Sequence, residues 1–120
     1  MSPLLKIFSY SRCGTCRKAL NWLHEKDIEY QLIDIINKPP SKKDLVTAVK
    51  QLGDIKYILN TSGKSYRAIG AASIKQMTNN EIIKLTISDS KLIKRPFAIH
   101  PEGKVLVGFN QLSWEQFFLS

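Results

Sequence analysis

Cys13 and Cys16 are the only two cysteines among the chain's 120 residues, and they stand three positions apart. A pair so close together cannot tie distant segments, so a disulfide-scaffold protein is excluded. Three uses of a Cys-x-x-Cys unit remain: thiol–disulfide exchange, half of a zinc site, or inert packing at a helix start. Cys13 follows the short apolar run Leu4–Tyr10 and precedes Thr15–Lys26, where the spacing turns helical. The first turn of a helix carries unpaired N–H groups and a partial positive charge, and both favour a thiolate over a thiol. Arg12 and Arg17 add positive charge nearby in the chain. A free cysteine has a pKa of about 8.5, and such surroundings lower it by roughly one to several units. Cys13 is therefore the expected nucleophile, and Gly14 is expected to let the backbone turn tightly beside it. Cys16, one helical turn further and on the inner side, is the expected resolving thiol for a mixed disulfide.

A structural zinc ion needs two further ligands. There is no third cysteine, and neither His24 nor His100 has a ligand-forming neighbour. His24 reads as a half-exposed helix residue and His100 as the end of a strand, so no metal site is expected.

The elements that must position the pair follow from hydrophobic spacing. Leu4–Tyr10, bounded by Pro3 and by Ser11–Gly14, reads as a strand. Cys16, Ala19, Leu20 and Leu23 share one helical face. Glu29–Ile36 reads as a second strand, stopped by Pro39 and Pro40. A helical crossover makes these two strands parallel. Ser41 with Asp44 opens a helix through about Leu52, which Gly53 stops. Short helical pieces follow at Ile55–Leu59 and Tyr66–Ile69. Thr78 with Glu81 caps a helix from Asn79 to about Ser88. Phe97–His100 and Val105–Gly108 flank a turn containing Gly103 and form a hairpin. Ser113 with Gln116 is expected to cap a last helix, Trp114–Leu119.

The order is βαβ, several helices, then ββα. That is an α/β fold: a thioredoxin-like core with a mixed four-stranded sheet and a helical insertion. One domain is expected over residues 1–120, its core at about 1–38 and 91–120 and its insertion at about 41–90. In such a core the proline before the third strand often follows a cis bond and faces the cysteine pair. Pro96 holds that place, and Arg95 before it is either an anion-binding fork or an ordinary surface arginine beside Lys94.

Composition narrows the partners. Hydrophobic residues make up 43% and charged residues 23%, enough for an ordinary core. The longest stretch without a charge is ten residues, Val105–Trp114, so no membrane span is expected. Met1–Lys6 does not read as a secretory signal, and the expected location is the cytoplasm. The net charge is +8, spread evenly along the chain. It favours acidic partners, but basic residues are not interleaved with stacking aromatics, so direct nucleic-acid binding is not expected.

Cys13-Gly14-Thr15-Cys16-Arg17-Lys18-Ala19, Asn37–Ser41, Asn60-Thr61-Ser62-Gly63 with Tyr66-Arg67, Leu92–Pro96 and Val107-Gly108-Phe109 run in one order over nearly the whole chain. Together they resemble the arsenate reductase-like (ArsC/Spx) family, and the resemblance implies the same thioredoxin-like core with a helical insertion. In arsenate reductases of this family the cysteine matching Cys13 attacks arsenate, three arginines bind the oxyanion, and glutathione with glutaredoxin completes the reduction. Arg95 matches one of those arginines. Near the second this chain has Ser62, and Val107–Asn110, where the third belongs, contains none. Each charged hydrogen bond lost costs about 1.5–3 kcal/mol, which counts against efficient arsenate turnover unless Arg67 substitutes. Glutathione-linked arsenate reductases of this type also generally lack a cysteine at the place of Cys16. Cys-x-x-Cys resembles the Spx-like branch, whose pair is a redox switch and whose members bind the C-terminal domain of the RNA polymerase α subunit. It also occurs in reductase-like relatives, which the Asn60–Gly63 segment resembles more. Two functions are therefore implied. One is a thiol–disulfide oxidoreductase of arsenate-reductase type, with Cys13, Cys16 and Arg95 at its site, no bound cofactor, and glutathione, glutaredoxin or thioredoxin as electron donor. The other is an Spx-like regulator.

Overall fold

The computed structural model describes residues 4–119; Pro3, expected to bound the first strand, lies outside the described residues. The first strand, β1, is Leu5–Ser9, and the helix α1 follows at Gly14–Glu25. The strand β2, Tyr30–Asp34, completes the βαβ start. Near the other end of the chain, β3 (Phe97–Ile99) and β4 (Val105–Val107) form the hairpin and the helix α2 (Gln111–Leu119) closes the chain. The sheet is mixed and four-stranded, with the order β2-β1-β3-β4. β3 runs antiparallel to both β1 and β4. The fold is thioredoxin-like.

The chain divides into two compact units. Among the described residues the first comprises 4–33 and 95–119. Strand alternation sends Leu5 and Ile7 to one face of β1. There they meet Ala19, Trp22 and Leu23 of α1 and Trp114 of α2, all buried. Trp22 and Trp114 pack edge to face with ring centroids 6.1 Å apart. On the other face Phe8 and Phe97, paired in register, also meet edge to face at 6.0 Å. Gly103, with φ of 100°, sits in the hairpin turn, where an L side chain would be strained.

The second unit, Asp34–Lys94, begins at the last residue of β2 and is otherwise made of helices, 3₁₀ turns and the isolated bridge between Leu59 and Ile93. Its helices are α3 (Lys42–Leu52), α4 (Lys64–Ile69), α5 (Ala71–Lys75) and α6 (Asn79–Ser88), with 3₁₀ turns at Ile55–Ile58 and Ser90–Leu92. Both expected capping boxes are closed. Ser41 Oγ accepts from the Asp44 N–H at 3.1 Å, and Asp44 Oδ2 accepts from the Ser41 N–H at 3.3 Å. Thr78 and Glu81 exchange the same two bonds at 3.2 and 3.0 Å. Gly53 ends α3 with φ of 92°, its N–H bonded to the Val49 carbonyl. The buried hydrophobic side chains of this unit include Ile35, Leu45, Ala48, Ile58, Leu59, Ile74, Ile82, Ile83, Leu92 and Ile93, and Thr86 of α6 is buried among them.

Three local expectations are corrected. α5 and the turn Ser90–Leu92 are additional elements, too short to show a period; α5 buries only Ile74. α4 begins two residues before Tyr66. The last helix begins at Gln111, and its cap is Asn110, whose Oδ1 accepts from the Ser113 N–H at 3.0 Å. Ser113 lies inside the first turn and spends its own amide on that cap. Among the described residues, no helix is long and apolar enough to cross a membrane.

Candidate active site

β1 ends at Ser9, and the chain turns at once. The Tyr10 carbonyl accepts the Cys13 N–H at 3.0 Å, closing a four-residue turn. Cys13 is left extended, with φ −100° and ψ 113°, as the N-cap of α1. Its Sγ accepts the Cys16 N–H at 3.2 Å, the bond a serine or aspartate oxygen makes at other caps. The first turn contains no acidic residue that would oppose a thiolate. Cys13 is half-buried and Cys16 is 1% exposed; both are free thiols.

The antiparallel ladder brings the far end of the chain to this turn. Phe8 pairs with Phe97. Pro96 and Arg95 immediately precede Phe97, just as Ser9 and Tyr10 immediately follow Phe8, so both pairs flank the same end of the ladder. The Arg95–Pro96 bond is cis. The Pro96 carbonyl accepts the Gly108 N–H at 2.8 Å, which ties this segment to the end of β4. Arg95 reaches the Cys13 sulfur with a hydrogen bond from its guanidinium. The guanidinium carbon also lies 5.1 Å from the centroid of the Tyr10 ring.

These contacts separate the two sulfurs electrostatically. Burial pushes the Cys13 thiol up, but hydrogen bonds from the Cys16 thiol and amide and from Arg95, with the charge of Arg95, hold it below the usual thiol range. Burial pushes the Cys16 thiol up, and its bond to Cys13 pushes it further. The Ser9 hydroxyl and the Tyr10 backbone offset part of that rise. One sulfur is thus favoured as a thiolate with a path to solvent. The other, more deeply buried, is held toward the thiol form by that burial and by Cys13.

The remaining expected residues fall in different places. The cation that hydrogen-bonds Cys13 is Arg95, while Arg12 and Arg17 are exposed. Gly14 begins α1 with ordinary helical backbone. A Cβ added there would meet only the Arg17 guanidinium, at 3.9 Å, so the turn does not need a glycine. Ser62 bonds to Asn60 Oδ1 at 3.3 Å, and Arg67 is exposed on α4. In the Val107–Asn110 segment Phe109 packs on Trp22 and Trp114, with centroids at 6.2 and 5.1 Å. His24 Nε2 is 2.8 Å from the Tyr30 hydroxyl, and His100 Nδ1 accepts the Glu102 N–H at 3.1 Å. Among the described residues, no group of three or more His, Cys, Asp or Glu side chains is placed to hold a metal ion. Sequence reasoning missed Ser9 and Tyr10. Neither belongs to a spacing motif, and only the ring contact with Arg95 reveals what Tyr10 faces.

A thioredoxin-like core with a Cys-x-x-Cys at the first βα turn and an arginine–cis-proline opposite it defines a class of thiol-containing proteins. The ArsC family pattern matches residues 8–117, and the chain belongs to that family. It is 40% identical over 114 residues to the uncharacterised protein YusI of Bacillus subtilis (strain 168), a match spanning 93% of this chain and 96% of that one. The crystal structure of an ArsC family related protein from Bacteroides fragilis superposes with a TM-score of 0.87 at 35% identity, covering 97% of this chain and 98% of the other. More distant relatives carry two kinds of name. An arsenate reductase of Escherichia coli is 27% identical over 85% of this chain and 72% of its own length. The global transcriptional regulator Spx 2 of Bacillus anthracis is 25% identical over 89% and 81% respectively.

Proposed function

We propose that the protein is a cytoplasmic thiol–disulfide oxidoreductase of arsenate-reductase type, acting as one domain with its helical unit inserted in the thioredoxin-like core. The observation that carries this reading is the opposite treatment of the two sulfurs: Cys13 held toward thiolate, Cys16 held as thiol. The Cys13 thiolate attacks one sulfur of a substrate disulfide; that S–S bond breaks, and its other sulfur leaves as a thiolate. Cys16 then loses its proton and attacks the Cys13 sulfur of the mixed disulfide. The second substrate sulfur leaves as a thiolate, and the Cys13–Cys16 disulfide remains. The substrate has gained two electrons and the enzyme has lost them. A thiol reductant, either glutathione with glutaredoxin or thioredoxin, restores the pair. No bound cofactor takes part. Arg95 steadies the attacking thiolate and any anionic group of the substrate close to it.

Cys13→Ser is expected to abolish turnover of small and glutathionylated disulfides. Cys16→Ser is expected to accumulate a mixed disulfide visible by intact mass. Full turnover by Cys13→Ser sinks the proposal.

A second reading has a specific observation behind it: relatives named as Spx regulators align over most of the chain. On that reading the Cys13–Cys16 disulfide is a switch, and the partner is the RNA polymerase α subunit's C-terminal domain. A pull-down with that domain, run on oxidised and reduced protein, tests it. Absence of contact in both states removes it.

A further inference from the structure

Arg95 carries a long, flexible side chain, so something must hold its guanidinium where the Cys13 sulfur can use it. We propose that Tyr10 is a positioning residue of this site, its ring face seating the Arg95 guanidinium against Cys13. The inference rests on the reading of Cys13 as the nucleophile, and adds a residue to that site.

Three observations converge on Tyr10. The guanidinium carbon lies 5.1 Å from its ring centroid, inside the distance at which a cation is drawn to a π face. The β1–β3 ladder ends with Phe8 opposite Phe97, so Tyr10 and Arg95 each lie two residues beyond the same end of the ladder. The Tyr10 carbonyl accepts the Cys13 N–H at 3.0 Å, so one residue fixes the thiol's backbone and seats its cation. The chemistry of the seat matters as well. A carboxylate there would hold an arginine more firmly, but it would share the guanidinium's charge and repel the thiolate. A ring face attracts the cation without neutralising it, and the full positive charge stays available to the sulfur.

The test is the pH profile of Cys13 alkylation by iodoacetamide in the reduced full-length protein, with the modified residue assigned by fragment mass spectrometry. Tyr10→Phe keeps the ring face and is expected to reproduce the wild-type profile. Tyr10→Leu is expected to move the midpoint upward and slow alkylation at neutral pH about twofold, no more than Arg95→Ala does. In the Arg95→Ala background, Tyr10→Leu is expected to add nothing. Should the leucine variant fold poorly, phenylalanine at position 10 carrying two and then five ring fluorines keeps the shape while weakening the π face. The midpoint is then expected to climb with fluorine content. A depressed wild-type midpoint that neither Tyr10→Leu nor the fluorine series moves overturns the role of Tyr10 and leaves the proposed function standing. An unperturbed wild-type midpoint overturns both.

Discussion

Replacing Arg95 with alanine removes a cation that hydrogen-bonds the Cys13 sulfur and should change the reactivity of that sulfur in two opposite directions. A charge-assisted hydrogen bond contributes about 1.5–3 kcal/mol when shielded from water. Cys13 is only half-buried, so solvent screening reduces the figure to about 1 kcal/mol. Below the midpoint, that loss lowers the thiolate fraction about fivefold. The thiolate that remains is more basic and attacks faster; with a Brønsted coefficient of about 0.4–0.5, about twofold of the loss is recovered. The net expectation is alkylation about two- to threefold slower at neutral pH, and about twofold faster where the thiol is fully ionised. Stopped-flow alkylation of Cys13 from pH 5 to 10 in wild type and Arg95→Ala would show the two profiles crossing. Added salt should move the wild-type midpoint up and leave the variant's nearly still. Parallel profiles, lowered by one factor at every pH, would mean that Arg95 shapes access to the sulfur and not its ionisation. The electrostatic account would then be refuted.

Ser9→Ala removes the hydroxyl that favours ionisation of Cys16, so the mixed disulfide on Cys13 should persist about two- to fivefold longer in quenched-flow mass spectrometry, while the first attack keeps its rate. Thr78→Ala opens the capping box of α6 and should lower unfolding free energy in urea by about 1 kcal/mol, with the m-value unchanged. Reduced protein should show a stability maximum near the ordinary thiol pKa of about 8.5 when urea midpoints are compared across pH. Cys13, depressed in the folded state, contributes stability that is present above that value and lost as pH falls through its folded pKa. Cys16, raised in the folded state, contributes stability that is present below it and lost as pH rises toward its folded pKa. Cys13→Ser should therefore flatten the acid side of the curve, and Cys16→Ser the alkaline side.

The parts of the fold that were legible are those written in local spacing. The alternation of β1, the shared face of Cys16, Ala19, Leu20 and Leu23, and the two capping boxes each lie within a few residues of chain. The βαβ start then follows from the handedness and length of the crossover. α5 was not legible because five residues with one buried side chain carry no period. The cap at Asn110 was not legible because Asn110 and Ser113 are both good caps, and only the bond lengths separate them. At the candidate site the limit was distance along the chain. Arg12 and Arg17 flank the cysteines in sequence and looked like the local charge. Arg95 is more than eighty residues away and reaches Cys13 through the β1–β3 ladder. The core topology put Pro96 opposite the cysteines and left Arg95 as either an anion fork or a surface arginine, while Tyr10 and Ser9 emerge only from the side-chain contacts.

The charge already present at Cys13 bears on which substrates suit it. An arsenate oxyanion brings its own negative charge to a thiolate and needs several donors to offset the repulsion. Arg95 is engaged by the thiolate itself. The segment where a further arginine belongs by resemblance holds Phe109, whose ring packs into the aromatic core with Trp22 and Trp114. Placing an arginine there would cost that packing and expose a cavity beside Trp22. A disulfide is neutral at the reacting sulfurs, so a single guanidinium on the attacking thiolate suffices. The first leaving thiolate can take the proton that Cys16 gives up before Cys16 attacks the Cys13 sulfur to complete the exchange. One cation and two unequal sulfurs thus match disulfide exchange better than oxyanion reduction. On the proposed reading, the protein's turnover of arsenate should fall well below its turnover of a glutathionylated thiol when both are measured with the same reductant. Arsenate turnover equal to that of the disulfide would break the argument at its first step, the need for several donors.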